Sequence, residues 1–445
     1  MAVCGDRPPF SNRILKVHLW EKGKDFVNKE KNIRWIPVLC FGVLMLGLGS
    51  SDSLRGIFSP VFQEHYGVGG RGLSMMVVIS YVGNLLFLSV GGKMMDTFDR
   101  KKVAMGMLGI WMAAVLLNVL TDSYPMILLS MFRALGASTM LNTTVNLLPP
   151  MVCAGYSGMM VNIFFFIQGI GTSGSQFLLG RFAFSYSGWK MVNGVLFVIG
   201  LVSLGLFAMV NLKPEKRETQ SAEGNSQGEQ RRKSSDGVVE NGIAQSQNGK
   251  KKKPQDMPGA SVFWLLVLMM GFYFIGEHGI MNWMLTYCMN ALQMPSHTAS
   301  TYLSIFWGGM TVGRLVFAPV VQKLGVRKSL KYFGGAGTVL FVAGVLSGSK
   351  GVILLSGSGL LISILYPTMV LFFQQIYPSS VVATKTGAII SAATIADIVF
   401  NAGFGALSDS VGIQVSFLIL PACMVLYYGF YLLLLRVSPE ERSAR

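Results

Sequence analysis

Residues 260–289 read ASVFWLLVLMMGFYFIGEHGIMNWMLTYCM, a run with one acid, Glu277, and no Lys or Arg. About 20 residues at 1.5 Å each suffice to cross ~30 Å of hydrocarbon. A soluble helix of this length needs a polar face, and here apolar side chains run all round. The stretch predicts a membrane-spanning helix.

Outward from it the same reading recurs. Of 445 residues, 51% are hydrophobic and 13% charged, where a soluble domain has roughly 25% charged. The mean hydropathy is +0.51. A soluble enzyme is excluded. Spans are predicted near 35–57, 73–95, 103–121, 125–147, 158–180 and 190–211, then near 260–289, 297–320, 332–348, 351–375, 384–407 and 413–436. Several hold Gly or Pro, which membrane helices tolerate. The fold class is all-α and polytopic: about twelve transmembrane helices in two six-helix bundles related by a pseudo-two-fold repeat.

Charge sets the expected orientation. With both termini cytoplasmic, all but seven of the 37 Lys and Arg fall in inner segments. Arg71, Arg181, Lys190 and Lys350 fall in outer loops, and Arg55, Arg133 and Arg314 fall inside spans. The positive-inside rule predicts this asymmetry. The net charge of +16 thus reports topology and contact with anionic lipid. Nucleic acid is not an expected partner, and the localisation is a cell membrane, multi-pass.

At Lys213 the composition changes. Residues 213–258 are rich in Glu, Lys, Gln, Ser, Asn and Gly, too polar to offset chain entropy by burial. They predict a disordered cytoplasmic linker. The domains are then an N-terminal tail (1–34), a first bundle (35–212), the linker, a second bundle (259–437) and a C-terminal tail (438–445). A shift of 227 positions aligns Gly49 with Gly276, each followed closely by an acid, and Arg100-Lys101 with Arg327-Lys328. That suggests duplication. The tail could lay an amphipathic helix on the inner surface. Cys4, Cys40, Cys153, Cys288 and Cys423 are scattered, as are the four histidines, so no disulfide frame, metal site or cofactor is expected. Gly169-Ile-Gly-Thr-Ser-Gly174 lacks the strand that dinucleotide binding needs. Its small residues should instead let the fifth span approach Gly308, Gly309 and Gly313 of the eighth.

Residues 92–102, GKMMDTFDRKK, resemble the loop signature of the major facilitator superfamily, with Gly92, Asp96, Arg100 and Lys101 matching while Thr97 and Asp99 depart. Arg133-Ala-Leu-Gly-Ala resembles its fourth-helix signature. Within the superfamily the chain is similar to the fucose–galactose–proton symporters, through Gly49-Ser-Ser-Asp52, Gly276-Glu277-His-Gly-Ile-Met-Asn-Trp283 and Phe306-Trp-Gly-Gly-Met-Thr-Val-Gly-Arg314. The resemblance implies alternating access. It also implies a gating clasp in which Asp96 and its basic loop meet the start of the eleventh span near Thr384, an anion at a helix N-terminus.

Charges inside spans are costly and mark functional candidates. Asp52 and Arg133 should lie at similar depth on the first and fourth spans, so they could pair; Arg55, one turn from Asp52, competes. Glu277 and Asp397 have no basic neighbour in sequence. Carboxylates in a low-dielectric cavity can carry a proton, so Asp52, Glu277 and Asp397 are the proton-coupling candidates, the first two ahead of the third. Amides and an aromatic face suit a sugar. Asn142, Gln168, Asn282, Trp283, Tyr366 and Gln374 are the substrate candidates, with Arg133. The expected function is proton-coupled symport of a sugar or similar small polar solute by a monomer. A monocarboxylate carrier of the same fold, with Arg133 and Arg314 holding the anion, is the alternative. A non-transporting receptor is the reading from another class.

Overall fold

A computed structural model describes residues 35–147, 157–182, 184–209, 259–378 and 381–437. Both tails and the linker at 213–258 lie outside the described residues. Helices alone connect what is described. The first half holds α1 (Trp35–Ile57), α2 (Ser59–Tyr66), α3 (Gly70–Thr97), α4 (Arg100–Leu120), α5 (Tyr124–Leu147), α6 (Ser157–Phe182) and α7 (Tyr186–Met209). In the second are α8 (Ala260–Asn290), α9 (Ser296–Leu324), α10 (Val326–Leu346), α11 (Gly348–Ile362), α12 (Leu365–Ile376), α13 (Val382–Val411), α14 (Ile413–Phe417) and α15 (Ile419–Val437).

Eleven of the resulting spans are long and apolar enough to cross a membrane, among the described residues. The chain is a multi-pass membrane protein. A twelfth, α6, has 26 residues, about 39 Å of helix, yet is more polar. Its polar groups are spent on neighbours. Thr172 donates to the Gly49 carbonyl at 3.1 Å, Ser175 and Ser53 hydroxyls meet at 2.8 Å, and Ser304 donates to the Ser173 carbonyl at 2.6 Å.

Local sequence explains where helices start and break. Asp99, one of the two residues that depart from the loop signature, caps α4 by accepting from the Lys102 amide at 3.0 Å, as N-cap carboxylates do. Pro60 sits in the first turn of α2, where it costs no hydrogen bond. The tenth span, expected as one helix over 351–375, is interrupted at Ser363–Ile364. Pro367 has no N–H to offer the Ser363 carbonyl four residues back. Arg314 of α9 supplies the donor instead, with Nε 3.4 Å from that oxygen.

The side of the membrane where α1 begins and α15 ends is the termini side; the other is the far side. Contacts that join the two halves gather toward the far side. Gly56 of α1 meets α8 so closely that a Cβ would lie 1.9 Å from the Met281 carbonyl oxygen. Ser59 and Thr286 hydroxyls are 2.8 Å apart, and Asn290 reaches Gln63 at 3.4 Å. At the start of α3, Gly69 offers no side-chain cap. The orphan amides of Gly70 and Arg71 donate instead to the Asp409 carboxylate near the end of α13, at 2.5 and 2.9 Å. One half thus caps a helix of the other. Beside it the Gly405 amide donates to Ser74 Oγ at 2.8 Å, and a Cβ on Gly405 would lie 2.0 Å from the Gly70 oxygen.

The smooth face predicted between the fifth and eighth spans exists in part. A Cβ on Gly169 would meet Thr311 Oγ1 at 2.2 Å, but Gly171 faces the Leu46 carbonyl of α1, and Gly309 and Gly313 face α11. Two residues along a helix are about 200° apart, so Gly169 and Gly171 cannot share one neighbour.

Candidate functional site

Buried polar groups form a connected path between the halves. Asp397 on α13 is 1% exposed and lies 2.7 Å from His278 Nδ1 on α8 through Oδ2. Its other oxygen accepts from Asn401 Nδ2, one turn along α13, at 3.0 Å. Asn401 Oδ1 accepts in turn from Trp283 Nε1 at 3.1 Å and from Asn282 Nδ2 at 3.4 Å. The Asn282 amide also donates to the Tyr81 hydroxyl of α3 at 3.1 Å, which carries the path into the first half. Above the Tyr81 ring sits the Arg55 guanidinium of α1, 5.1 Å from the centroid, a cation–π contact.

The first-half end of the path holds Asp52, which accepts from Ser138 Oγ of α5 at 3.0 Å. Arg55 is the charge beside it. The expected Asp52–Arg133 pair does not form. Ser138 reaches Asp52 from α5, and Arg133, five residues earlier, is turned about 140° away onto an exposed face. A cavity of about 30 Å³ adjoins Asp52 and Arg55, closed by Ser51, Asn118, Trp189 and Asn193. That is room for one or two waters.

Glu277 neighbours His278 in sequence but turns to another cluster. Tyr273, one turn back, lies beside its carboxylate while donating to the Ile362 carbonyl at 3.5 Å, and Arg314 and Tyr366 share its surroundings. Glu277 therefore has a basic neighbour after all, on α9. The interruption of the tenth span places that neighbour, since the Ser363 carbonyl holds the guanidinium.

The substrate candidates divide. Asn282 is in the path. Trp283 is 1% exposed, its ring packed on Phe404 at 4.6 Å and its N–H held by Asn401, so its face is covered. Tyr366 is half-buried and stacks on Phe274 at 5.9 Å. Asn142 is half-buried, with Oδ1 lacking a hydrogen-bond partner among the described residues. Gln168 sits at the α1–α6 crossing, its carbonyl 2.0 Å from where a Gly49 Cβ would lie, and Gln374 is exposed on α12. Of the loop signature, Lys101 donates to the Ala208 carbonyl at the end of α7 at 3.1 Å. Gly92 and the side chains of Asp96 and Arg100 lie outside what is described, and with them the expected clasp.

Sequence reasoning missed Tyr81, His278, Ser138 and Asn401. The signal for His278 was present: an ionisable side chain at mid-span is a functional candidate by default, and histidine belongs in that rule. Asn401 stands four residues from Asp397, on the same helix face. Polar atoms at the site keep unused valences: Arg55 Nε, Asn118 Oδ1 and Asn282 Oδ1 have no hydrogen-bond partner among the described residues. A solute with hydroxyl or carboxylate oxygens could use them. Among the described residues no group of three metal-ligating side chains gathers.

Comparisons with known proteins agree with this architecture. The sequence pattern of the Major Facilitator Superfamily matches residues 39–400. A cis,cis-muconate transport protein of Acinetobacter baylyi is 25% identical over 171 residues, 38% of this chain and 41% of that protein. A putative glucose/galactose transporter of Helicobacter pylori is 26% identical over 176 residues, 39% and 43% of the two. The matched region thus spans about two fifths of either relative. Among solved structures, a bacterial homolog of the human lysosomal transporter Spinster superposes with a TM-score of 0.71 at 10% identity, covering 92% of this chain and 98% of that one. For a D-xylose-proton symporter the TM-score is 0.65 at 12% identity, with 89% and 97% covered. The transporter FucP in its outward conformation gives 0.54 at 15% identity, with 89% and 98% covered.

Proposed function

The chain belongs to the Major Facilitator Superfamily, and we propose that it is a proton-coupled secondary transporter for a sugar or similar small polar solute. One observation carries this reading: the polar path from Asp397 through Asn401 and Asn282 to Tyr81 crosses from one half to the other. A solute bound there touches both rigid bodies, so its binding can bias which side opens. Asp52, Glu277 and Asp397 flank the path and are the groups that would take the proton. With both termini cytoplasmic, the far side, where the contacts between the halves gather, is extracellular.

Amide and hydroxyl groups dominate the path, which suits a polyhydroxyl solute bound by neutral hydrogen bonds. Arg55 and Arg314 favour the second reading, a carboxylate solute, because a guanidinium can grip a carboxylate with two bonds. Uptake into proteoliposomes of labelled galactose, glucose and muconate, with a trapped pH dye, tests both. Acidification with a hexose supports sugar symport, and acidification with muconate alone moves the assignment to organic anions. Uptake without proton movement overturns the coupling.

A further inference from the structure

The geometry points to His278 as the proton port of a paired site, its ring binding and releasing the proton while the buried Asp397 holds the ring and balances its charge. This rests on the symport reading above. Asp397 is enclosed: one carboxylate oxygen is held by Asn401 and the other by His278. Only His278 among these partners can bind or release a proton near neutral pH. Its side chain is 29% exposed, against 1% for Asp397. The ring is gripped face-on by Phe274, with centroids 5.1 Å apart, and lies 5.7 Å from Tyr81. Nδ1 is committed to the carboxylate, which leaves Nε2 as the atom that meets the solvent side.

The step balances simply. A proton binds Nε2, the Nδ1–H remains donated to Asp397, and the pair passes from a net charge of minus one to zero. Release reverses it at the other face, with no other bond made or broken. The groups facing the ring come from every neighbouring helix. Asp397 lies on α13, Glu277 on α8 itself, Arg55 on α1 and Tyr81 on α3, while Tyr366 of α12 lies behind Phe274. Arg55 gives the proton its leverage. It belongs to the opposite half, so the unprotonated pair attracts it across the interface and the protonated pair does not. Loading a proton therefore weakens one electrostatic tie between the halves.

The test uses the full chain in liposomes. Diethyl pyrocarbonate reacts with the free Nε2, and its rate on His278, read by mass spectrometry, titrates the ring without any substrate. Asp397→Asn keeps a hydrogen-bond partner and should move that curve by one pH unit or more, a tenfold change in proton affinity. Coincident curves, or a ring unreactive at every pH, would overturn the paired site. His278→Asn and His278→Gln, checked for a monodisperse peak, should then lose acid-stimulated uptake of galactose or muconate at least tenfold. Wild-type pH dependence in either well-folded variant overturns the port. Absence of proton movement in the wild type instead sinks the symport reading, and the port with it.

Discussion

The hydroxyls of Ser59 and Thr286 meet at 2.8 Å although the residues stand 227 positions apart. Gln63 and Asn290, separated by the same 227, pair in the next turn at 3.4 Å. Residues that contact their own equivalents lie on a two-fold axis, as in an isologous dimer interface. The pseudo-two-fold axis therefore passes between α2 and the end of α8 on the far side. The register is the one that aligns Gly49 with Gly276 in sequence. Such an axis runs along the membrane normal and maps each face onto itself, so contacts found at the far side alone are what favour closing it.

Asp409 is one such contact. The shift of 227 places Phe182 opposite it in the first half, which cannot cap a helix. Asp409→Ala should strip the Gly70 and Arg71 amides of their acceptor, at about 0.5–2 kcal/mol for a lost N-cap. The closed far side would lose roughly that much relative to the open one, a shift of ~2- to 30-fold in population. Asp409→Asn keeps an acceptor and should do less. Spin labels at Gln63→Cys and Asn290→Cys would report the widening; distance distributions identical to wild type in the Ala variant would remove the capping role.

Gly405 sets how close α3 and α13 can come. Its added Cβ would stand 2.0 Å from the Gly70 carbonyl oxygen, a backbone atom that cannot step aside. Gly405→Ala should cost about 1–3 kcal/mol of the closed state and slow transport tenfold or more. Gly403→Ala, two residues away and facing open space, is the control and should transport normally. Equal behaviour of the two variants would show that the contact is not limiting.

The fold was legible because lipid constrains it: runs such as 260–289 have no soluble alternative, and positive loops alternate with spans. The site was half legible. Carboxylates in spans announce themselves by cost, so Asp52, Glu277 and Asp397 stood out. Partners across the interface did not, because nothing in sequence puts Tyr81 beside Asn282 or His278 beside Asp397. Arg133 misled for a geometric reason, since depth along a helix can be counted from sequence but azimuth against an unseen neighbour cannot. The interrupted tenth span was readable from Pro367, yet its stabilising donor, Arg314, was not.

The pair of Asp122, in the loop after α4, and Lys190, in the first turns of α7, makes a sharp negative prediction about pH. Its partners are 2.7 Å apart, Asp122 exposed and Lys190 half-buried. Lys190, then the Tyr186 hydroxyl, holds the Asp122 carboxyl below the usual carboxylate range. A depressed carboxylate stabilises the fold above its unfolded value, near 3.9, and loses that contribution only as pH falls through its lower folded value. Between pH 5 and 8 the Asp122 carboxyl therefore stays ionised. Asp122→Asn should leave the pH profile of uptake superimposable on wild type; a displaced profile would place a coupling group in this loop.

Pro367 and Arg314 make a closed thermodynamic square. Proline leaves the Ser363 carbonyl without its helical donor, and Arg314 takes the vacancy at 3.4 Å. Arg314→Met should therefore cost about 1–3 kcal/mol, the penalty for a buried acceptor left unmade. Pro367→Ala returns an N–H to the Ser363 oxygen and can mend the tenth span into one helix. In that background Arg314→Met should cost markedly less, with a coupling of about 1 kcal/mol or more between the two sites. Thermal unfolding of the four proteins in detergent, followed by tryptophan fluorescence, measures it. An Arg314→Met cost that is the same with proline or alanine at 367 would mean the guanidinium is held there by Glu277 and not by the broken helix.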